Sequence, residues 1–174
     1  QQNRKYIPVP DIWVLFAPVK KDKTDFIVEK SVELGCRLLQ PVITERTVVD
    51  KIRSERYQAQ AVEAAEQCRR VDLPEIAPAS PLAEILAHWD CGRTLFFMDE
   101  TGTGVSAVRA FDERKGCPAA LLVGPEGGFS PSELELLRSL PYARAVSLGP
   151  RILRAETAVA AALSVWQSVA GDWQ

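Results

Sequence analysis

Histidine occurs once in the 174 residues, and the four cysteines, Cys36, Cys68, Cys91 and Cys117, stand far apart with no Cys-x-x-Cys pair. A zinc site needs about four clustered nitrogen and sulfur ligands, so no metal is expected. Spacing this wide also gives no disulfide framework, and the thiols should be free and buried or half-buried. His88, in "LAHWDCG", falls where a helix end runs into a turn, which suits a structural or solvent-facing role. No apolar run approaches the roughly 20 residues that span a bilayer, and the start "QQNRKYIPVPDIW" lacks the charged-then-apolar layout of a signal peptide. A soluble, cytoplasmic protein is the expectation. An excess of one charge is missing too: 21 basic against 23 acidic residues leave a net charge of −2. The chain as a whole is therefore no cushion for a polyanion, and any nucleic acid must meet a local patch or another module.

What is present is enough apolar sequence, 47%, to bury the core of one domain. Strand-length apolar runs recur at 12–19 ("IWVLFAPV"), 37–44 ("RLLQPVIT"), 93–100 ("RTLFFMDE"), 119–124 ("AALLVG") and 144–149 ("RAVSLG"). They are continuous rather than alternating, as in strands covered on both faces. Helical patterns lie between them. "TDFIVEKSVELGC" spaces Ile27, Val28, Val32 and Leu34 as a helix would, with Gly35 at the C-terminal cap position. "SERYQAQAVEAAEQCRRVDLP" opens on Ser54 as a candidate N-cap and carries Tyr57, Ala61, Ala64 and Cys68 on one stripe. The alanine-rich end "RAETAVAAALSVWQSVAG" sets Val159, Leu163 and Trp166 on one side and lets a second element, from this chain or another subunit, approach closely. Strands alternating with helices predict an α/β domain with a mostly parallel sheet. Residues 1–10, with Pro8 and Pro10, read as the tail of a linker, and 11–174 as the domain.

Two corners carry the chemistry. In "LLVGPEGGFSPSELELL" (121–137) a strand end feeds a helix through Gly124, Pro125, Glu126, Gly127 and Gly128. Ser130, Pro131 and Glu133 have the layout of a capping box, with Ser130 as N-cap and Glu133 as its return partner. The loop fits neither GxGxxG nor GxxxxGK[ST], and no lysine follows it. Its one charge, Glu126, would repel a phosphate. Glycine loops between a strand and a helix usually hold a nucleotide; the one here should be uncharged or cationic at this end, its adenine and ribose met by main-chain groups. The second corner, "SLGPRILRAETAVAAAL" (147–163), also runs from strand through Gly-Pro to helix. Ligands of parallel sheets bind beyond the carboxyl ends of strands, so two such corners at neighbouring strand tips form walls of one pocket. Arg151, Arg154 and Glu156 crowd this helix start. Arginine at a helix N-terminus opposes the helix dipole. For Arg154 this favours contact with an anionic substrate over a salt bridge to Glu156 or to a neighbouring chain.

"LLVGPEGGFSPSE" and "SLGPRILRAETA" together resemble the paired signature of the SPOUT (trefoil-knot) methyltransferases, in particular those that methylate N3 of a uridine in 16S ribosomal RNA. "KTDFIVEKSVELG" (23–35) and "EAAEQCRRVDLPEI" (63–76) agree with the same family, and the likeness runs over most of residues 12–165. The resemblance implies a parallel α/β domain ending in a deep trefoil knot, a homodimer, and S-adenosylmethionine in the knot, a cofactor with no phosphate and with a sulfonium cation. It implies cofactor contacts at Met98, Val123, Gly124, Pro125, Glu126, Gly127 and Gly128, and at Leu148, Gly149, Ile152 and Leu153. Met98 would be an apolar wall of the site or simply a core residue. Catalytic roles fall to Arg154, as stabiliser of the developing anion or of a nearby phosphate, and to Glu156, as candidate base. Lys30, Glu33, Glu66 and Arg70 match family positions, for RNA contact or bracing, whereas Arg69 stands where relatives often carry a small residue. Family members normally bear an N-terminal RNA-binding β-barrel, and the first ten residues read as the remnant of its linker. The alternatives are a SPOUT enzyme acting on transfer RNA or a ribose 2′-hydroxyl, and a knot domain that binds without catalysis. A nucleotide hydrolase is disfavoured, because neither a phosphate-binding lysine nor a pair of metal carboxylates is evident.

Overall fold

The computed structural model describes residues 8–48 and 54–173. In chain order the elements are β1 (Ile12–Phe16), α1 (Lys21–Glu33), β2 (Leu38–Ile43), α2 (Ser54–Cys68), β3 (Glu75–Ile76), β4 (Ser80–Pro81) and α3 (Leu82–Ala87). There follow β5 (Thr94–Met98), β6 (Val105–Ser106), α4 (Ala107–Asp112), β7 (Ala119–Val123), α5 (Pro131–Ser139), β8 (Ala143–Ser147) and α6 (Ala155–Val169). Strand order is β3-β2-β1-β7-β5-β8-β6, with β4 beside β2, and every pairing is parallel. Phe16 is level with Val123, Phe97 with Leu122, and Met98 with Val146. The carboxyl ends of β1, β7, β5 and β8 therefore share one rim.

The continuous apolar runs are explained by burial on both faces. Ile12, Val14 and Phe16 of β1 join a core with Ile27, Val28 and Val32 of α1, Tyr57 and Ala61 of α2, Phe111 of α4 and Val159, Leu163 and Trp166 of α6. The intervening Leu15 faces a second core with Leu82 and Leu86 of α3, Phe97, Leu122 and Leu137 of α5. α6 packs against α1, α4 and β7 of the same chain. Among the described residues no helix is long and apolar enough to cross a membrane.

The five long apolar runs and the three long helical patterns all form the expected elements, with ends shifted by a few residues. The two-residue strands β3, β4 and β6 and the six-residue helix α4 were outside the expectation, and of α3 only the end was foreseen, with His88 as its C-terminal cap residue. One expectation of arrangement needs correcting: β7 and β8 are not neighbours, because β5 lies between them. Cysteine burial differs in part as well. All four thiols are free, but only Cys36 is buried and Cys68 half-buried, whereas Cys91 and Cys117 are exposed. Ser54, expected as an N-cap, is the first helical residue of α2, and residues 49–53 before it fall outside the described residues. So do residues 1–7 of the expected linker.

Helix ends follow the sequence closely. Gly35, at φ +78°, closes α1: its N–H donates to the Val32 carbonyl, and the Cys36 N–H donates to that of Ser31. This is a Schellman cap. α2 ends in the same way, but with Arg69 at φ +61°. The Arg69 N–H donates to Glu66 and the Arg70 N–H to Ala65. Glycine suits such a backbone; the arginine here adopts it against its own Cβ. Arg70 is a brace rather than an RNA contact. Its buried guanidinium donates to the Val32 and Cys36 carbonyls, 3.0 and 2.8 Å away, and pairs with Asp72. Lys30 pairs with Glu29 and Glu33 along α1.

Candidate functional site

β7 ends at Val123, and the chain turns back on itself through a hydrogen bond of 2.9 Å from the Gly128 N–H to the Pro125 carbonyl. Gly128 sits at φ +67°, a conformation that suits glycine. The capping box then starts α5 as expected. Ser130 Oγ accepts from the Glu133 N–H at 3.2 Å and Glu133 accepts from the Ser130 N–H at 2.8 Å. The second Glu133 oxygen accepts from the Glu45 N–H at 2.9 Å, which ties this corner to the segment after β2.

The second corner leaves β8 at Ser147, passes Gly149 at φ +109° and enters α6 at Ala155. Its N-cap residue is Arg154, in extended conformation and with no side-chain cap bond. A guanidinium has no acceptor to offer the free helix N–H groups. Arg154 is therefore a poor cap, exposed at the rim.

Between the corners, over the end of β5, lies a cavity of about 490 Å³, the size range of small-ligand sites. The first corner contributes Val123, Gly124, Pro125, Glu126 and Gly128, and the second Leu148, Gly149, Ile152, Leu153 and Arg154. Met98, at the tip of the strand between them, completes the apolar lining while also packing against the core. Two expected residues stand apart. Gly127 turns away, and its carbonyl accepts from Arg46 at 2.7 Å. Glu156, on the first turn of α6, is not part of the lining, and its Oε2 is shielded from solvent with no hydrogen-bond partner. No hydrogen bond or ion pair joins it to Arg154 among the described residues.

Charge at the site is arranged in two places. Lys23, from the first turn of α1, lines the cavity and pairs with Glu126. This hydrogen bond, foremost, holds the Glu126 carboxyl below its ordinary pKa, with smaller help from Lys20 and Arg154. The lysine missing after the glycine loop thus arrives from 103 residues away. Beyond β5 lie Asp99, Glu100 and Gly102, none of them foreseen, although the acid pair in "FFMDE" directly after a strand was the available signal. The Asp99 carboxylate is fully buried and accepts from the Thr101 N–H, the Thr103 hydroxyl and Arg138, each at 2.9 Å. Burial pushes its pKa up, but the bonds from Thr101, Arg138 and Thr103 outweigh this and leave it lowered.

Taken together, the all-parallel sheet and a nucleoside-sized cavity between two glycine-proline corners at its carboxyl rim define a small-ligand-binding α/β domain. Residues 5–167 match the model of the RNA methyltransferase domain, and the chain belongs to that family. It is similar to the ribosomal RNA small subunit methyltransferase E of Rickettsia conorii, with 30% identity over 164 residues, 94% of this chain and 67% of that protein. The protein of the same description from Buchnera aphidicola of Schizaphis graminum is 34% identical, over 88% of this chain and 63% of its own length. The chain thus spans about two thirds of these relatives. Among solved structures, the small subunit methyltransferase E of Neisseria gonorrhoeae bound to S-adenosyl methionine superposes with a TM-score of 0.89 at 31% identity. It is covered over 72% of its length and covers all of this chain.

Proposed function

We propose that this chain is the catalytic part of an S-adenosylmethionine-dependent methyltransferase that modifies N3 of a uridine in 16S ribosomal RNA. The observation that carries the reading is the single cavity walled by both glycine-proline corners, with Met98 between them. Its residues fit the cofactor. The two corners present apolar side chains and main chain, Lys23, Asp99, Glu100 and Arg154 also line the cavity, and the glycine loop's own charge is the Glu126 carboxylate, paired with Lys23. Val123–Glu126 and Gly128 on one side and Leu148, Gly149, Ile152 and Leu153 on the other would hold it, and when bound it supplies an activated methyl group on a sulfonium. Gly127 would act only through the turn it completes. The names of the relatives, the N. gonorrhoeae complex and the sequence resemblance support cofactor and ribosomal substrate together.

Methyl transfer from a sulfonium is a direct displacement, so the protein contributes alignment and electrostatics. Uridine N3 loses a proton as it attacks, and negative charge spreads over N3 and the flanking carbonyls. Arg154, exposed at the mouth and unpaired with Glu156, is assigned to stabilise that charge. Glu156 is the candidate base, with an unpartnered Oε2 two residues from Arg154. We expect Arg154→Ala to lower turnover by about 100-fold or more while changing cofactor affinity little, as read by single-turnover assay and calorimetry. Equal losses in both would refute this role. Glu156→Gln should leave binding intact and slow transfer; full turnover would assign the proton to solvent. The fold proposed for the C-terminal corner is a deep trefoil knot, and the working unit a cytoplasmic homodimer. The whole reading is tested by incubating the chain with labelled S-adenosylmethionine and unmodified 16S RNA or small subunits. The label should map to one uridine whose Watson–Crick edge blocks reverse transcription. Label on a ribose or on transfer RNA would replace the substrate and keep the fold.

A further inference from the structure

Three carboxylates face the cavity: Asp99, Glu100 and Glu126. Two are already engaged. Both Asp99 oxygens accept hydrogen bonds from Thr101, Thr103 and Arg138, and Glu126 is paired with Lys23. Glu100 is the one without a hydrogen bond or ion pair among the described residues. Its position is built rather than incidental. The neighbouring Asp99 is anchored on α5 through Arg138, and the Glu100 carboxylate lies against Gly128, where an added Cβ would come within 2.0 Å of Oε1. The last glycine of the first corner leaves room for this acid.

We infer that Glu100 recognises the ribose diol of the bound nucleoside, an inference that rests on the cavity taking an S-adenosyl compound. An ionised carboxylate only accepts, so its partner must be a donor: either the ligand's ammonium or its hydroxyls. The ammonium travels with a carboxylate, and the lysine that suits a carboxylate, Lys23, is paired with Glu126. Glu100 would repel it. A vicinal diol is uncharged and presents two O–H donors to two carboxylate oxygens, a charge-assisted bidentate match.

Calorimetry on the whole chain decides the matter, with S-adenosylhomocysteine, its 2′,3′-dideoxy counterpart and its deaminated counterpart as probes. Because Glu100 is exposed, Glu100→Ala and Glu100→Gln should keep the wild-type thermal midpoint. Glu100→Ala should weaken S-adenosylhomocysteine by about 10- to 100-fold and Glu100→Gln by about tenfold, the worth of hydrogen bonds to a charged group. The loss should shrink to less than about threefold for the dideoxy probe and persist in full for the deaminated one. A loss that persists with the dideoxy probe and disappears with the deaminated one overturns the inference and puts the ammonium at Glu100. Variants that bind like wild type overturn it as well. A wild-type chain that binds none of the three probes refutes the cofactor reading itself, and this inference with it.

Discussion

Arg69 holds a backbone conformation that costs an L residue about 1 kcal/mol or more and glycine almost nothing. It is exposed, and its side chain makes no hydrogen bond or ion pair among the described residues. Arg69→Gly should therefore stabilise the chain by about 0.5–1 kcal/mol in urea unfolding; a loss of stability would show that the side chain has a partner. Arg70, one residue on, is the opposite case. Arg70→Ala removes a donor from the Val32 and Cys36 carbonyls and from Asp72 and should cost about 2–4 kcal/mol. The same pair sets a pH dependence. The Arg70 hydrogen bonds hold the Asp72 carboxyl below its ordinary value. Its contribution is complete above the unfolded pKa of about 3.9 and is lost as pH falls through the lower folded value. The stability gap between wild type and Asp72→Asn should thus be constant above about pH 4 and narrow below it. A gap that widens in acid would contradict the assignment. Arg70 was visible in the sequence only as a position of the resemblance; its bracing role depends on carbonyls 34 and 38 residues away.

At the level of elements, what was legible was whatever has a period or a cap. Long apolar runs, the α1 and α6 stripes and the Ser130–Glu133 capping box all appear where residue pattern and turn chemistry put them. Two-residue strands and six-residue helices are too short to carry a period, so β3, β4, β6 and α4 were not, and of α3 only its end at His88 was. The insertion of β5 between β7 and β8 was equally hidden, since strand order is set by crossover packing rather than by local pattern. It matters, because it makes Met98 the middle of the site and brings Asp99 and Glu100 to its edge. The link between Asp99 and Arg138 pins the β5–β6 connection to α5. Arg138→Ala should weaken cofactor binding more than it lowers the thermal midpoint; the reverse ranking would reduce the link to a surface contact. Ser130→Ala should cost about 1 kcal/mol, the usual worth of an N-cap, in thermal or urea unfolding.

On the scale of the whole molecule, the corners sit at one rim of one sheet, and charge is local: Lys23, Arg151 and Arg154 near the mouth of the cavity, in a chain of net charge −2. Cofactor binding needs only the cavity, whereas RNA affinity rests on phosphate contacts and a basic surface. The two should separate, with tight cofactor binding alongside weak, salt-sensitive RNA binding. The most direct test is a crystal structure of this chain grown with S-adenosylmethionine. The expected position of the compound is over Met98, between residues 123–128 and 148–154, touching main chain on both sides. Density at any other place on the chain, or two loops too far apart to touch one molecule, would contradict it.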